Sequence, residues 1–255
     1  MRASVAVHVA AAGMLVARPS AWPWAVGALV LDHALLTASG LWPRSRLLGP
    51  NWVRLPPSAA ARGQVAITID DGPDPEVTPR LLDVLEERGV RATFFCIGER
   101  VAAHPGLARD IVRRGHSVEN HSQCHRHRFS LLGPGAMAAE IVRAQDSIAA
   151  IVGEAPRFFR APAGLRNPIL DPILARRGLR LASWTRRGFD TVTGRPDLVL
   201  ARLVRRLGPG DIRLLHDGHA ARTAAGVPVA VEVLPRLLEQ VAAAGLTPVT
   251  LRGAL

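Results

Sequence analysis

Seven short apolar stretches alternate with segments of helical spacing, and this alternation restricts the chain more than any other feature of its sequence. The stretches fall at 65–70, 92–97, 116–119, 157–160, 179–184, 211–216 and 247–251. The clearest intervening helix spans 227–243, where Val227, Val231, Leu234, Leu238 and Val241 recur at three- and four-residue steps and define one apolar face. Gly89, Gly115, Gly178, Gly210 and Gly245 each stand just before a strand, as helix-stopping glycines do. Strands separated by helices pair through crossovers, which makes the neighbours parallel. The pattern therefore predicts a parallel α/β architecture, either a barrel or an open sheet.

The first of these strands ends abruptly. Val65, Ile67 and Ile69 alternate with small or polar residues, and the run then meets Asp70-Asp71-Gly72-Pro73. Glycine frees the backbone and proline withholds a donor, so the strand stops there. On a continuing strand the two carboxylates would point to opposite faces, whereas a turn can bring both to one site. Adjacent carboxylates repel unless a cation or a shared proton lies beside them. We read Asp71 as a metal ligand and Asp70 as a base; the alternative is a turn with two solvated acids. An EF-hand is excluded by the spacing.

In parallel barrels the functional groups gather at the carboxyl ends of the strands. Here most of those ends are polar: Asp70 and Asp71, then His121 and His125, Arg160, Trp184 with Asp190 beyond it, and His216. His121 and His125, four apart, can turn both imidazoles toward one ion, on a helical turn or a compact loop. Two imidazoles and the Asp71 carboxylate would leave an open position for water, as catalytic zinc sites do. Cys124 lies inside the same motif as a competing ligand, while His104, His116 and His127 read as surface or loop residues. Cys96, in an apolar run, reads as a buried thiol; two cysteines are too few for a disulfide framework.

The first forty residues follow a different pattern. Residues 3–17 are apolar apart from Ser4 and His8, and as a helix would cover about 22 Å. A second apolar run, 22–42, is long enough to span a bilayer, is flanked by Trp22, Trp24 and Trp42, and carries Asp32 and His33. A membrane hairpin, a signal peptide followed by an anchor, and a soluble extension packed on the domain all fit this pattern. Asp32 within the span is either costly or functional. Arg44, Arg46, Arg54 and Arg62 follow the second run, which by the positive-inside tendency places the remainder on the cytoplasmic side, at a bacterial inner membrane. The organisation expected is an apolar N-terminal segment over 1–43, a linker over 44–61 and an α/β domain over 62–255. The formal charge is +11, yet the chain contains no lysine and no tyrosine, and it lacks basic tracts with interleaved aromatics. Nucleic acid is therefore not an expected partner. The basic balance suits an acidic partner such as a lipid phosphate or an anionic membrane.

Five motifs in order, I-T-I-D-D-G-P-D-P at 67–75, H-S-Q-C-H at 121–125, R-A-P-A-G at 160–164, W-T-R-R-G-F-D at 184–190 and L-L-H at 214–216, resemble the polysaccharide deacetylase family of NodB-homology carbohydrate esterases. A-T-F-F-C-I-G at 92–98 also resembles its second strand. The resemblance covers roughly residues 62–251 and leaves the first sixty unexplained. It implies a distorted (β/α)7-type barrel and a divalent metal, usually Zn2+, serving a hydrolase that removes an N-linked acetyl or formyl group from an amino sugar. By position, Asp71, His121 and His125 resemble the metal ligands. Asp70 resembles the general base and His216 the general acid, with Arg160 pairing the base and Asp190 orienting the histidine. Pro162, Ala163, Trp184 and Leu214 resemble the substrate pocket. Ala163 and Thr191 stand where relatives often carry aromatics, which opens the groove and favours a small or lipid-linked glycan over a crystalline polymer. A non-catalytic glycan-binding barrel and a metallohydrolase of a non-sugar amide or ester are the alternative functions.

Overall fold

The computed structural model describes residues 2–255. Eight strands form one parallel sheet: β1 (Gln64–Asp70), β2 (Thr93–Cys96), β3 (Ser117–Asn120), β4 (Phe158–Phe159), β5 (Arg180–Leu181), β6 (Arg186–Arg187), β7 (Ile212–His216) and β8 (Thr247–Pro248). The order is β5-β4-β3-β2-β1-β7-β6, with β8 paired to the start of β1. Together the strands make an α/β half-barrel. All seven expected strands are present. β6 was not foreseen, because Arg186 and Arg187 offer no apolar alternation.

Period-two alternation divides the strands between two cores. Val65, Ile67, Ile69, Phe94 and Leu215 point outward into the layer of helices. Ala66, Phe95, Ile212 and Leu214 point into the barrel. Asp70 and His216 continue this inward set, and they are register partners across β1 and β7. The helix Val229–Ala243 packs on the outer face through Val229, Ala230, Val233, Leu234, Leu237, Leu238 and Val241. Its face is thus wider than the sequence spacing suggested, and Val227 and Val231 lie half-buried at its margin.

Residues 52–55, within the stretch expected to be a linker, fill the seam between β5 and β7. Trp52 N–H donates to Leu181 O, Ser183 N–H donates to Trp52 O, and Leu55 N–H donates to Gly210 O. The Trp52 ring meets Phe158 edge-on at 5.0 Å. These bonds satisfy edge groups that a half-barrel would otherwise leave open.

The N-terminal residues form two helices, α1 (Arg2–Ala17) and α2 (Trp22–Leu41), packed as a hairpin with Ser4 Oγ donating to Asp32 (2.6 Å). Buried Ala11 and Ala25 lie along the hairpin, whereas Val9, Val16, Trp24, Val30, Leu31 and Leu35 are exposed rather than packed on the barrel. One segment, Pro19–Leu41, is long and apolar enough to cross a membrane. The far end of α2 touches the barrel, where Arg166 N–H donates to Gly40 O (3.1 Å).

Candidate metal and active site

The turn after β1 holds Asp71 at φ 77, in the left-handed region, which ends the ladder and brings its carboxylate toward that of Asp70. Gly72 is required at this turn, because a Cβ there would collide with the buried Asp217 carboxylate. Asp217 in turn accepts from Thr78 Oγ1 (2.5 Å), and burial pushes its carboxyl up to about 7.

His121 and His125 lie on a compact loop after β3, not on a helix. Ser122 and His125 take positive φ, the Ser122 N–H donates to Asn120 Oδ1 (2.8 Å), and the His125 N–H donates to Ser122 Oγ (3.1 Å). This tight path brings the two rings to 4.8 Å. His121 Nδ1 lies 2.8 Å from Arg160 O, a group that can only accept, so the ring proton sits on Nδ1 and Nε2 presents its lone pair. Nε2 of His121 and Nε2 of His125 each lie 3.2 Å from Asp71 Oδ1. That oxygen is buried and has no aligned hydrogen bond.

An orphaned buried carboxylate oxygen between two imidazole nitrogens is the arrangement a divalent ion would satisfy, and the three donor atoms lie within 4.8 Å of one another. The residues therefore fit a metal. Burial pushes the His125 imidazole down to about 4, with the neighbouring His121 adding to the effect, so the ring is neutral near pH 7 as a ligand must be. Burial would raise the Asp71 carboxyl, but the proximity of the His121, His219 and His125 imidazoles outweighs it and holds the group well below the usual carboxylate range. Cys124 is not part of the set; its thiol donates to Glu99 (2.8 Å).

Arg160 is buried and makes no surface ion pair. Nη1 donates to Asp70 Oδ1 (2.5 Å) and Thr68 Oγ1 (2.9 Å), Nε to Ala182 O, and Nη2 to Ser183 O. Its guanidinium also lies 4.0 Å from the Phe95 ring centroid. Asp190, fully buried, accepts from the backbone N–H of His216 (2.7 Å) and sits 2.9 Å from its Nδ1. Burial opposes charge on His216, but the Asp190 carboxylate prevails and pushes the imidazole up to about 9.

Asp70, Asp71, His121, His125, Ala163, Trp184, Leu214 and His216 line one cavity of about 500 Å³. Arg160 and Asp190 stand behind this wall. Pro162 was expected in the pocket, but it is buried beneath the loop and does not line the cavity, because Ala163, at φ 55, is turned outward in its place. His116, read as a surface or loop residue, lies in the loop just before β3 but is buried there: its Nδ1 accepts from Ala92 N–H (3.1 Å), and burial pushes it down to about 4.

Several lining residues escaped sequence reasoning, among them His219, Arg100 and Arg187. His219 Nδ1 lies 3.5 Å from Asp71 Oδ2, and Arg100 reaches His219 at 3.4 Å. Arg187 stacks on Phe189. The H-D-G-H run at 216–219 offered a signal for His219. Arg187 falls inside the W-T-R-R-G-F-D motif but was not told apart from Arg186, and nothing local marked Arg100.

A family model described as polysaccharide deacetylase matches residues 58–182. The chain is 37% identical over 156 residues to a chitooligosaccharide deacetylase of Bradyrhizobium sp. (strain ANU 289), covering 61% of this chain and 71% of that protein. It is 33% identical over 178 residues to a peptidoglycan-N-acetylglucosamine deacetylase of Bacillus cereus, covering 69% and 82%. Among solved structures, the Bc1960 peptidoglycan N-acetylglucosamine deacetylase superposes with a TM-score of 0.72 at 25% identity, covering 80% of this chain and 92% of that one. A family 4 carbohydrate esterase from Streptomyces lividans superposes with a TM-score of 0.66 at 35% identity, covering 73% and 91%.

Proposed function

This chain belongs to the polysaccharide deacetylase family, and from that premise we propose that it is a metal-dependent hydrolase removing an N-acyl group, acetyl or formyl, from an amino sugar. The observation that carries this reading is the pairing of Asp70 with His216 across β1 and β7. The two face one cavity beside the Asp71–His121–His125 donors, and each is backed by its own buried partner.

Asp71, His121 and His125 are the residues proposed to hold the ion, with Zn2+ the best match to two imidazoles and a carboxylate. A bound divalent ion supplies Lewis acidity, polarising the amide carbonyl and acidifying water. The remaining steps fall to the protein. Asp70, fixed by Arg160, takes a proton from the attacking water as its oxygen bonds to the acyl carbon. The carbon–nitrogen bond then breaks, and His216, kept protonated by Asp190, gives its proton to the departing nitrogen. The products are the free amine and a carboxylate. Ala163, Trp184 and Leu214 enclose the acyl side of the cavity.

The proposed substrate is a small or lipid-linked glycan, and the hairpin over residues 3–42 is proposed as its membrane tether. Two observations support this. The apolar faces of α1 and α2 are exposed. The residue that follows α2 and Trp42, Pro43, abuts the cavity wall: Ser183 Oγ donates to Pro43 O (2.6 Å), and a Cβ on Gly164 would strike both Pro43 and Trp184. The arginines after α2 favour a cytoplasmic catalytic domain, which reporter fusions on either side of the hairpin test directly.

The reaction is tested with N-acetyl chitooligosaccharide and an N-acylated lipid-linked sugar, following release of acetate or formate. Asp70→Asn and His216→Ala should each reduce turnover by roughly 10²–10⁴-fold while the ion stays bound. Full activity in either variant refutes the assignment.

A further inference from the structure

Arg187 ends β6 on the wall of the cavity, half-buried. Its guanidinium carbon lies 4.0 Å from the Phe189 ring centroid and 5.7 Å from that of Trp184. Phe189 takes φ 60, a left-handed conformation that is costly for an aromatic residue, and its ring stacks against Arg187, with Arg202 also 5.3 Å from the ring centroid. The loop is thus bent so that an aromatic surface holds the cation in place. Among the described residues, no carboxylate lies within ion-pair distance of Arg187, and its side chain donates no hydrogen bond to protein.

The acids of the cavity are already engaged. Asp70 is bonded to Arg160, Asp71 sits between the two imidazoles, and Glu99 accepts the Cys124 thiol. A second cation, Arg100, lines the same cavity, 3.4 Å from His219 and with a long contact to the Asp74 carboxylate (3.9 Å). The acid whose charge acts on Arg187, Asp190, is buried and already bonded to His216, so this fixed, half-desolvated guanidinium has no ion-pair partner among the described residues, and its planar fork matches an external oxyanion.

Resting on the deacetylase reading, we infer that Arg187 binds a phosphate carried by the amino sugar, so that the substrate is a phosphate-linked sugar amide. Of the anions a guanidinium can pair with, phosphate is the one that fits the lipid-linked substrate proposed above. Arg187 shares its wall with Trp184, and that wall abuts Pro43 at the end of the apolar hairpin. A sugar presented from a lipid reaches this wall through its linkage, and the linkage group that bears charge is a phosphate. Arg187 would act as a specificity residue, and no bond would form or break at it.

The test uses the metal-loaded full-length protein in detergent, with N-acetylglucosamine and N-acetylglucosamine 1-phosphate as probes. Calorimetry should show the phosphorylated sugar binding roughly 10- to 100-fold more tightly than the neutral one. Arg187→Gln should collapse that ratio toward unity, and Arg187→Lys should restore only part of it, since an ammonium lacks the planar fork. The kcat/KM ratio for the same pair should fall in parallel, through KM rather than kcat. Equal affinity of the unmodified protein for both sugars overturns the inference. So does a preference that survives in Arg187→Gln, because the phosphate is then held elsewhere, for instance at the ion. The binding arms report whether or not acetate is released. A protein that prefers the phosphosugar through Arg187 yet hydrolyses neither probe nor a lipid-linked form refutes the deacetylase reading instead.

Discussion

Replacing Asp190 by Asn would remove a charge from behind His216 while keeping a side-chain oxygen able to accept from its Nδ1–H. In the folded protein the histidine lies at about 9 against an ordinary 6.5. That difference corresponds to about 3 kcal/mol favouring the imidazolium, at 1.36 kcal/mol for each pKa unit. Without the carboxylate, burial is opposed only by the Asp70 and Asp71 carboxylates, and the midpoint should return toward the ordinary 6.5. At pH 8 the protonated fraction should fall from about nine-tenths to about 3%, a loss of roughly 30-fold in the acid form alone. A divalent ion nearby would lower both midpoints, so the comparison is made on the same metal. The assay is the pH profile of kcat for variant and unmodified enzyme, expressed as their ratio. The ratio should approach unity near pH 6, where both histidines are largely protonated, and fall steeply by pH 8. A ratio flat from pH 6 to pH 9 would refute the argument. The linkage has a matching sign in stability. A raised histidine pKa contributes fully below 6.5 and is lost as pH rises through about 9, so thermal stability should decline across that window, and less so in Asp190→Asn.

Other expectations follow from the same geometry. Arg160→Met leaves the Asp70 carboxylate buried and unpaired, and should cost about 3–5 kcal/mol in denaturant unfolding along with activity. Asp71→Ala or His121→Ala should abolish stoichiometric metal binding by atomic absorption. A chelator should silence the unmodified enzyme, and added Zn2+ should restore it. Gly164→Ala places a methyl group against Trp184 and Pro43 at φ 73, and should destabilise by about 1–3 kcal/mol, with a change in tryptophan fluorescence as the wall shifts.

Much of the barrel was legible because a strand buried on both faces advertises itself. Val65, Ile67 and Ile69, followed by Asp-Asp-Gly-Pro, leave little choice of structure or of where it stops. β6 was not legible, since Arg186 and Arg187 are a strand only because β7 offers them a partner. The seam at Trp52–Leu55 was missed for the same reason: its bonds go to residues more than 120 positions away, and its composition reads as a connector. Pro162 was misplaced, and the burial of His116 missed, because backbone direction and burial are not written in residue type.

The sequence alone determined which chemical groups the chain places at its strand ends, and in what order, because period-two alternation and glycine stops act over a few neighbouring residues. Only the tertiary structure decided which groups meet. Asp70 faces His216 because β1 pairs with β7, 146 positions away, in one register. Arg187 faces the cavity because Phe189 is bent beneath it. Contacts of that kind depend on how distant segments pack together, and local propensity carries no information about distance.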